Sequence, residues 1–541
     1  MDKMISKISL LNEIGIALSA EKNNQRVLEL ILDGAKKLTN ADGGSLYTLN
    51  DNNELVFEIV STDSLDFHMG GTTGHTIDFP PLPLYIDGHK NLSMVVTSAV
   101  LNDRTINIHD AYHAEGFDFS GTREFDENTS YRTKSLLTIP MKNHKADVIG
   151  VLQLINSTSY TTNEVVDFSS EDQKLAESLA SQAAVALTNK KLIEEQKALF
   201  EAFIKLIATA IDEKSPYTGG HCKRLPELTL MIADACDRDV GGALKEFNMT
   251  EKDRYELMIA GWLHDCGKVT TPEYVIDKST KLETIYDRIH TVNARFDVLM
   301  RDAKICMLEK QLAANEVSDT KAFELAAVEY NEKITRLNDD KAFVAIANVG
   351  GEYMAEEKQN RIREIAQYQI SGNNGYFKNF LDDDEIKNLI IAKGTLTNEE
   401  RQIINNHIAV TIKMLDQLPF PKHLENVPEY AGGHHERMDG KGYPRGLTRE
   451  QMSWPARMMG IADIFEALSA RDRPYKEGKK LSVCLDILGK MRLDNHIDPE
   501  IFDVFVREKI YLQYAKEFLT ADQIDEVDHS KIPGYGGGGG S

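Results

Sequence analysis

Between Ser170 and Asp212 the chain holds about forty residues in which Leu179, Ala186, Ile193, Phe200 and Ile207 stand seven apart, beside a second column of Val185, Leu192, Leu199 and Leu206. A helix of that length spans roughly 60 Å, longer than one ordinary domain encloses, so separate domains must lie on either side of it. Two adjacent heptad columns suit a parallel helix pair, which implies a homodimer joined along this linker; one long helix packed on its own domain is the other arrangement the pattern allows. Before the helix, Ile8, Leu11, Ile14 and Leu18, then Val27, Leu30, Ile31 and Ala35, recur at helical spacing. LVFEIVST, LLTIPMK and VIGVLQLIN are β-branched runs of strand length. The first part therefore reads as α+β over residues 1–170, with a linker and dimerisation helix over 171–212. Beyond Asp212 helices with short turns dominate and no strand is convincing, so residues 213–515 read as all-α, followed by a C-terminal tail over 516–541.

A chain of 541 residues has room for three or four domains with full cores. Lys+Arg 62 against Asp+Glu 85 gives a net charge of −23, which argues against a nucleic-acid polymer or an anionic lipid face as partner. The five cysteines, Cys222, Cys236, Cys266, Cys306 and Cys484, are too sparse for a disulfide framework and fit a reducing compartment. No apolar run approaches the ~18 residues of a membrane span, and MDKMISKISLLNEIG lacks a signal-peptide core. These features point to a cytoplasmic protein. The ending PGYGGGGGS reads as an expression linker, and Gly536 to Ser541 carry no functional argument.

The second half concentrates chemistry in a few places. His264 and Asp265 end the apolar run LMIAGWL, where an imidazole and a carboxylate can face one metal pair. In GGHHERMDGKGYPRG, His434 and His435 are adjacent, Glu436 follows, and Asp439 to Pro444 form a turn-rich loop. Asp463 sits in the apolar helix ARMMGIADIFEALSA, where a carboxylate costs several kcal/mol unless paired or metal-bound. His221 starts a helix after the Gly-Gly turn of SPYTGGHCKR. A lone His-Asp pair is more often a capping acid beside a core histidine; the set together is harder to explain that way.

Through HDCGK, HHERMDGKGYP and ADIFEALSARDRPYK, in that order, residues from about 200 to 515 resemble the HD-GYP family of the HD superfamily of metal-dependent phosphohydrolases. The resemblance implies an all-α helical bundle, a centre of divalent iron or manganese, and hydrolysis of 3′,5′-cyclic dinucleotides, above all cyclic di-GMP to linear pGpG and on to GMP. By motif position it implies His221, His264, Asp265, His407, His434, His435 and Asp463 as metal ligands, with Asp265 bridging. It makes His264, Asp265 and Lys268 the catalytic set, and Lys268, Arg473 and Lys476 the substrate-binding residues. Asp439, Gly440, Gly442, Tyr443 and Pro444 form the loop that gives the family part of its name, where partner proteins of GGDEF type are one reading. His407 follows Leu396 by eleven residues and precedes His434 by 27, matching the family spacing, whereas His290 follows Leu282 by eight and lies far from His434. Taking His407 makes residues 283–392 a helical insertion and leaves His290 as a helix-face histidine. Members with three metals carry a glutamate four residues before the first histidine; here that position is Tyr217, so two metal ions are expected.

SLYTLNDNNELVFEIVST and SLLTIPMKNHKADVIGVLQLINS resemble a GAF domain, a sensory module. Cyclic-nucleotide-binding members carry an Asn-Lys…Phe-x3-Asp-Glu pattern, of which Asn156, Phe168 and Asp172 remain while Ser157 and Gln173 depart. A small-molecule ligand and a packed, ligand-free dimerisation module both stay open. The segment from Met69 to Pro83 reads as a loop that could lid a pocket, with His68 and His75 at or near the surface. The expected chain is thus multidomain: an α+β GAF domain, a long linker helix and an HD-superfamily bundle with a helical insertion, acting as a GAF-regulated phosphodiesterase. A preference for 3′,3′-cyclic GMP-AMP is the alternative within that class. A non-catalytic binding module, and a phosphohydrolase of linear guanosine polyphosphates, are the readings outside it.

Overall fold

The computed structural model describes residues 2–214, 220–239, 241, 244–351, 353–371, 376–471 and 478–536. It divides into two compact units, Met1–Phe200 and Glu201–Ser541. In the first, helix α1 (Asp2–Ala20) is followed by α2 (Asn24–Thr39), whose first amide groups are capped by the Asn23 side chain. Val27, Leu28, Ile31, Leu32, Ala35 and Leu38 put one apolar stripe of α2 into the core. The sheet has six main strands: β1 (Ala41–Leu49), β2 (Glu54–Thr62), β3 (Phe67–Gly70), β4 (Ile106–Ile108), β5 (Leu136–Lys142) and β6 (Val148–Thr158). They run in the order β3-β2-β1-β6-β5-β4, antiparallel throughout, with Leu46 of β1 opposite Ile59 and Leu152. Leu46, Ile139, Leu152 and Leu154 meet α1 and α2 on one face. On the other face Tyr47, Leu55 and Val151 meet Val96 of the short helix Val95–Leu101, and a second short helix spans Ser120–Thr129.

Part of the expected loop from Met69 to Pro83 is strand: Met69 and Gly70 pair with Val60 and Ile59, and Leu82 and Pro83 pair with the start of β2. The unpaired edge of β2 offers backbone donors and acceptors that these short segments satisfy.

Helix α3 (Ser170–Asp212) is continuous. Its first half buries Leu175, Ala176, Leu179, Ala180, Ala183 and Ala184 in the core of the first unit, whereas Leu192, Ile193, Leu199, Phe203, Leu206 and Ile207 are exposed. The first half therefore follows the reading of a helix packed on its own domain, while the second half leaves its apolar columns exposed.

In the second unit α4 (His221–Asp237) begins directly after Gly220, whose φ of 80° lies in the left-handed region that suits glycine. Helix α5 (Glu251–Leu263) starts with a Thr250–Asp253 capping box and runs into a tight turn over Cys266–Thr270. Helices α6 (Ile289–Glu316) and α7 (Thr320–Val349) then form an antiparallel excursion. It has its own apolar cluster around Leu282, Phe296, Leu337, Val344, Phe380 and Leu389. A two-strand hairpin, Gln369–Ser371 with Phe377–Asn379, interrupts the otherwise helical half. Helix α8 (Asn398–Leu415), again opened by a capping box, α9 (Val427–Gly433) and α10 (Trp454–Ser469) return to the bundle. Helices at Leu481–Leu493, Pro499–Arg507 and Ile510–Phe518 close it.

Candidate metal centre

Five segments deliver the histidines and acids to one buried point. His221 is the first residue of α4; His264 and Asp265 stand where α5 gives way to the turn; His407 lies in the middle of α8; His434 and His435 follow the end of α9; Asp463 is on α10. The turn and α8 touch backbone to backbone, since a Cβ on Gly267 would come within 2.0 Å of the His407 carbonyl oxygen. Glycine is therefore the residue that lets His264–Asp265 and His407 share a site.

Three imidazoles are oriented in one way. Nδ1 of His264, His407 and His434 each donates to the carbonyl three residues earlier, on Gly261, Ile404 and Ala431, at 2.8, 2.5 and 2.6 Å. Each Nε2 is thereby left to the interior as an acceptor. His221 differs: its Nδ1 meets Glu466 Oε2 at 2.5 Å, and Arg224 holds the other Glu466 oxygen at 2.7 Å.

Asp265 lies between two donor groups. Its Oδ2 is 3.4 Å from His221 Nε2 and 3.1 Å from His264 Nε2, while its Oδ1 is 3.0 Å from His407 Nε2. The ligand atoms of His221, His264 and Asp265 fall within 4.8 Å of one another, as do those of His407, His434 and His435. Asp463 Oδ1 approaches His221 Nε2 at 3.4 Å. Asp265 Oδ1, His407 Nε2 and His434 Nε2 are buried without a hydrogen-bond partner. Orphaned buried acceptors converging from three segments fit cations, because a cation is what such lone pairs need.

The electrostatics agree. Burial, then the neighbouring charges of His435 and His264, hold His434 neutral, far below its usual range, and burial pulls His435 down to about 4. Burial opposes ionisation of Asp265, but His264 and Lys268 overcome it and keep the carboxylate ionised. Burial likewise opposes the charge on Glu466, and His221 with Arg224 brings it down to about 2. His434 and His435 are thus neutral and Asp265 is ionised, the protonation states that ligands require, whereas at His221 the effect of burial is outweighed by Glu466, Asp265 and Asp463, which raise it well above the usual imidazole range.

Lys268 reaches back from the turn to Asp265 Oδ2. A cavity of about 410 Å³ opens beside the centre, lined among others by His435, Lys441, Tyr443, Asp463 and His496. Tyr443 stacks on His435 with ring centroids 4.9 Å apart. The surrounding loop is held from within: Glu436, buried, accepts from the amides of Arg445 and Leu447, and Asp439 accepts from Arg437 and the Lys441 amide. Gly440 has a φ of 74°, and a Cβ on Gly442 would come within 2.4 Å of Glu436 Cα. Pro444 follows Tyr443 and is exposed.

His221, His264, Asp265, His407, His434, His435, Asp463 and Lys268 are thus brought together. His290 sits exposed near the start of α6, away from this cluster. Tyr217, Arg473 and Lys476 lie outside the described residues. Sequence reasoning passed over Glu466. Its signal is a second acid one helical turn after Asp463 on the same apolar helix, a spacing that puts both on one face.

Residues 23–187 match the GAF domain family and residues 384–501 match the HD domain family. The HD match takes in His407, His434, His435 and Asp463; His221, His264 and Asp265 precede it. The 3′3′-cGAMP-specific phosphodiesterase 1 of Vibrio cholerae serotype O1 is 43% identical over 81 residues, 15% of this chain and 19% of that protein. The 3′3′-cGAMP-specific phosphodiesterase 2 of the same organism is 33% identical over 277 residues, 50% of this chain and 47% of that protein. A cyclic di-GMP phosphodiesterase of Thermotoga maritima is 34% identical over 131 residues, 22% of this chain and 35% of that protein. The chain spans under half the length of each of these relatives.

Proposed function

We propose that this chain, which carries a GAF domain and an HD domain, is an HD-GYP-type metal-dependent phosphodiesterase that opens 3′,5′-cyclic dinucleotides. The observation that carries the reading is the placement of Asp265, with one oxygen toward each of two histidine groups whose buried acceptors are otherwise unsatisfied. His221, His264 and Asp265 would hold one divalent ion and His407, His434 and His435 a second, with Asp265 shared and Asp463 at the first group; iron and manganese are the candidates. Bound there, such a pair supplies a water of lowered pKa and offsets charge on a phosphodiester.

The chain's own groups do the rest. Lys268 keeps an ammonium at the mouth of the metal group, where it can neutralise charge that develops on the phosphate. The Nδ1 bonds to backbone carbonyls fix each ring, so no reorientation is needed when substrate arrives. The Tyr443 ring, stacked on His435, forms a wall of the cavity against which a flat base can lie. Arg473 and Lys476 are proposed to bind phosphate and guanine.

Cyclic di-GMP is the substrate proposed first and 3′,3′-cyclic GMP-AMP the alternative, relatives being named for each. We assign residues 1–170 to a regulatory GAF domain with a small-molecule ligand, 171–212 to the linker, and 213–515 to the catalytic domain with 283–392 as insertion. The exposed apolar column of α3, Leu192, Leu199 and Leu206, supports a homodimer. No helix of the described residues is long and apolar enough to cross a membrane, and a cytoplasmic location and a GGDEF-type partner belong to the same proposal. Product analysis on the manganese- or iron-loaded protein, with both dinucleotides and with Asp265→Ala as blank, tests it. Linear product that vanishes in the variant is the expected result, and no turnover of either substrate with metal bound would overturn it.

A further inference from the structure

The end of the linker helix does more than connect. Its last two turns bury Ile204, Ala208 and Ile211 in the second unit. One residue-pair later, the Lys214 ammonium donates to the carbonyl oxygens of Lys268, Val269 and Thr271 at 3.2, 2.6 and 2.7 Å. These carbonyls belong to the turn that carries Lys268 and directly follows His264–Asp265. Such carbonyls gather at the end of a helical turn, where a cation binds favourably, and the Lys268 carbonyl also accepts from the Thr271 amide. No carboxylate pairs with Lys214 among the described residues, so its charge is committed to this turn. Asp212, the last residue of α3, reaches the other way: its Oδ2 accepts from the amides of Gly220 and Cys222 at 3.1 and 3.3 Å, on either side of His221. One end of one helix therefore grips both segments that supply the His221, His264 and Asp265 group.

We infer that Asp212 and Lys214 are positioning residues, through which the linker helix sets the placement of Lys268 and of His221. The inference rests on the phosphodiesterase reading for its catalytic consequence, although the grip itself can be measured without turnover. A rotation or axial shift of α3 would pull at once on the two amides that flank His221 and on three carbonyls three to six residues beyond Asp265. Displacement of a catalytic group by about 1 Å costs about a hundredfold in rate, so a small movement suffices to regulate.

The test uses the full-length, manganese-loaded protein and compares Lys214→Met, Lys214→Arg and Asp212→Asn by amide hydrogen exchange and by steady-state kinetics. Lys214→Met should speed exchange at residues 267–271 by about tenfold while the sheet of the first unit is unchanged. It should lower kcat by about ten- to a hundredfold with KM held, and Lys214→Arg, which keeps donors for the same carbonyls, should restore both. Asp212→Asn should raise exchange at Gly220 and Cys222. Unchanged exchange at 267–271 in Lys214→Met, or a kcat and KM that fall in step with global unfolding and are not rescued by arginine, would overturn the inference. Should Lys214→Met fail to fold, Lys214→Gln takes its place with the same two criteria. If the wild type turns over neither dinucleotide, the phosphodiesterase reading fails while the exchange data still decide whether the grip exists.

Discussion

Two sets of buried polar side chains, one in each unit, are treated in opposite ways. In the first unit, Asp126 is nearly inaccessible, and its carboxylate accepts from the Tyr112 hydroxyl and from the Thr133 amide and hydroxyl. Asn156 is likewise closed, bonding the Arg132 carbonyl and the Lys134 amide. In the second unit, Asp265 Oδ1, His407 Nε2 and His434 Nε2 have no such partner. A satisfied buried group stabilises a scaffold, and an unsatisfied one costs free energy until something arrives to bind it. Orphaned atoms that converge from separate segments mark the candidate site, whereas scattered ones such as Asn107 Oδ1 and Thr188 Oγ1 of the first unit do not.

The widest gap between the two should come from Asp265→Ala. Removing the acid that faces both histidine groups should abolish dinucleotide hydrolysis by roughly three orders of magnitude, and elemental analysis should show metal lost while the first unit unfolds at its usual midpoint. Asp126→Ala is the mirror experiment. It strands three donors, so thermal or denaturant unfolding of the first unit should weaken by about 2–3 kcal/mol, with metal content unchanged; loss of metal instead would break the comparison. Glu466→Gln removes the charge behind His221 and should weaken metal binding by about 10–100-fold in a competition titration, leaving the fold intact.

Proton competition sharpens the same contrast. His435 is pulled from an ordinary 6.5 to about 4 by burial, so between those values the unfolded chain binds a proton that the folded chain does not. The His435 contribution to the stability of the second unit should therefore fall as pH drops from 6.5 toward 4, and chelatable metal should be released over the same range. The smallest effect concerns thiols. Burial pushes Cys236 and Cys484 up to about 12 and Cys266 to about 11, while Cys306 is exposed. Alkylation at pH 8 should label Cys306 first, with the other cysteines following only on unfolding.

The centre was legible in the sequence because its residues stand in short, unusual strings: His-Asp after an apolar run, a histidine pair before a glycine-rich loop, an acid within an apolar helix. His407 required spacing on both sides, since the helical excursion separates it from Gly267 in sequence although their backbones touch. Glu466 was hidden because an acid near a helix end is commonplace, and only its contact with His221 shows what it does. In the first unit β2, β5 and β6 were legible from β-branched runs, but the edge pairing of Met69 and Gly70 was not, since edge strands need a partner more than a pattern. The partner of Asp172 was equally invisible: its ammonium comes from Lys7 of α1, far away along the chain. The heptad columns of α3 announced a helix but not which half would be covered, because periodicity records a face and not what lies against it.

The excursion bearing α6 and α7 folds around its own apolar cluster. Its chain ends are pinned side by side, through the Lys281 amide on the Asn348 carbonyl and the Lys278 ammonium on Glu400. Lengthening the connection between Gly267 and His407 by about a hundred residues raises the entropy of closing that loop by only roughly 1 kcal/mol, because the dependence is logarithmic. A segment that brings its own core and returns to its starting point is thus thermodynamically almost invisible to the ligands on either side. The same join would accept a different length, or a different module, with the metal-binding geometry undisturbed.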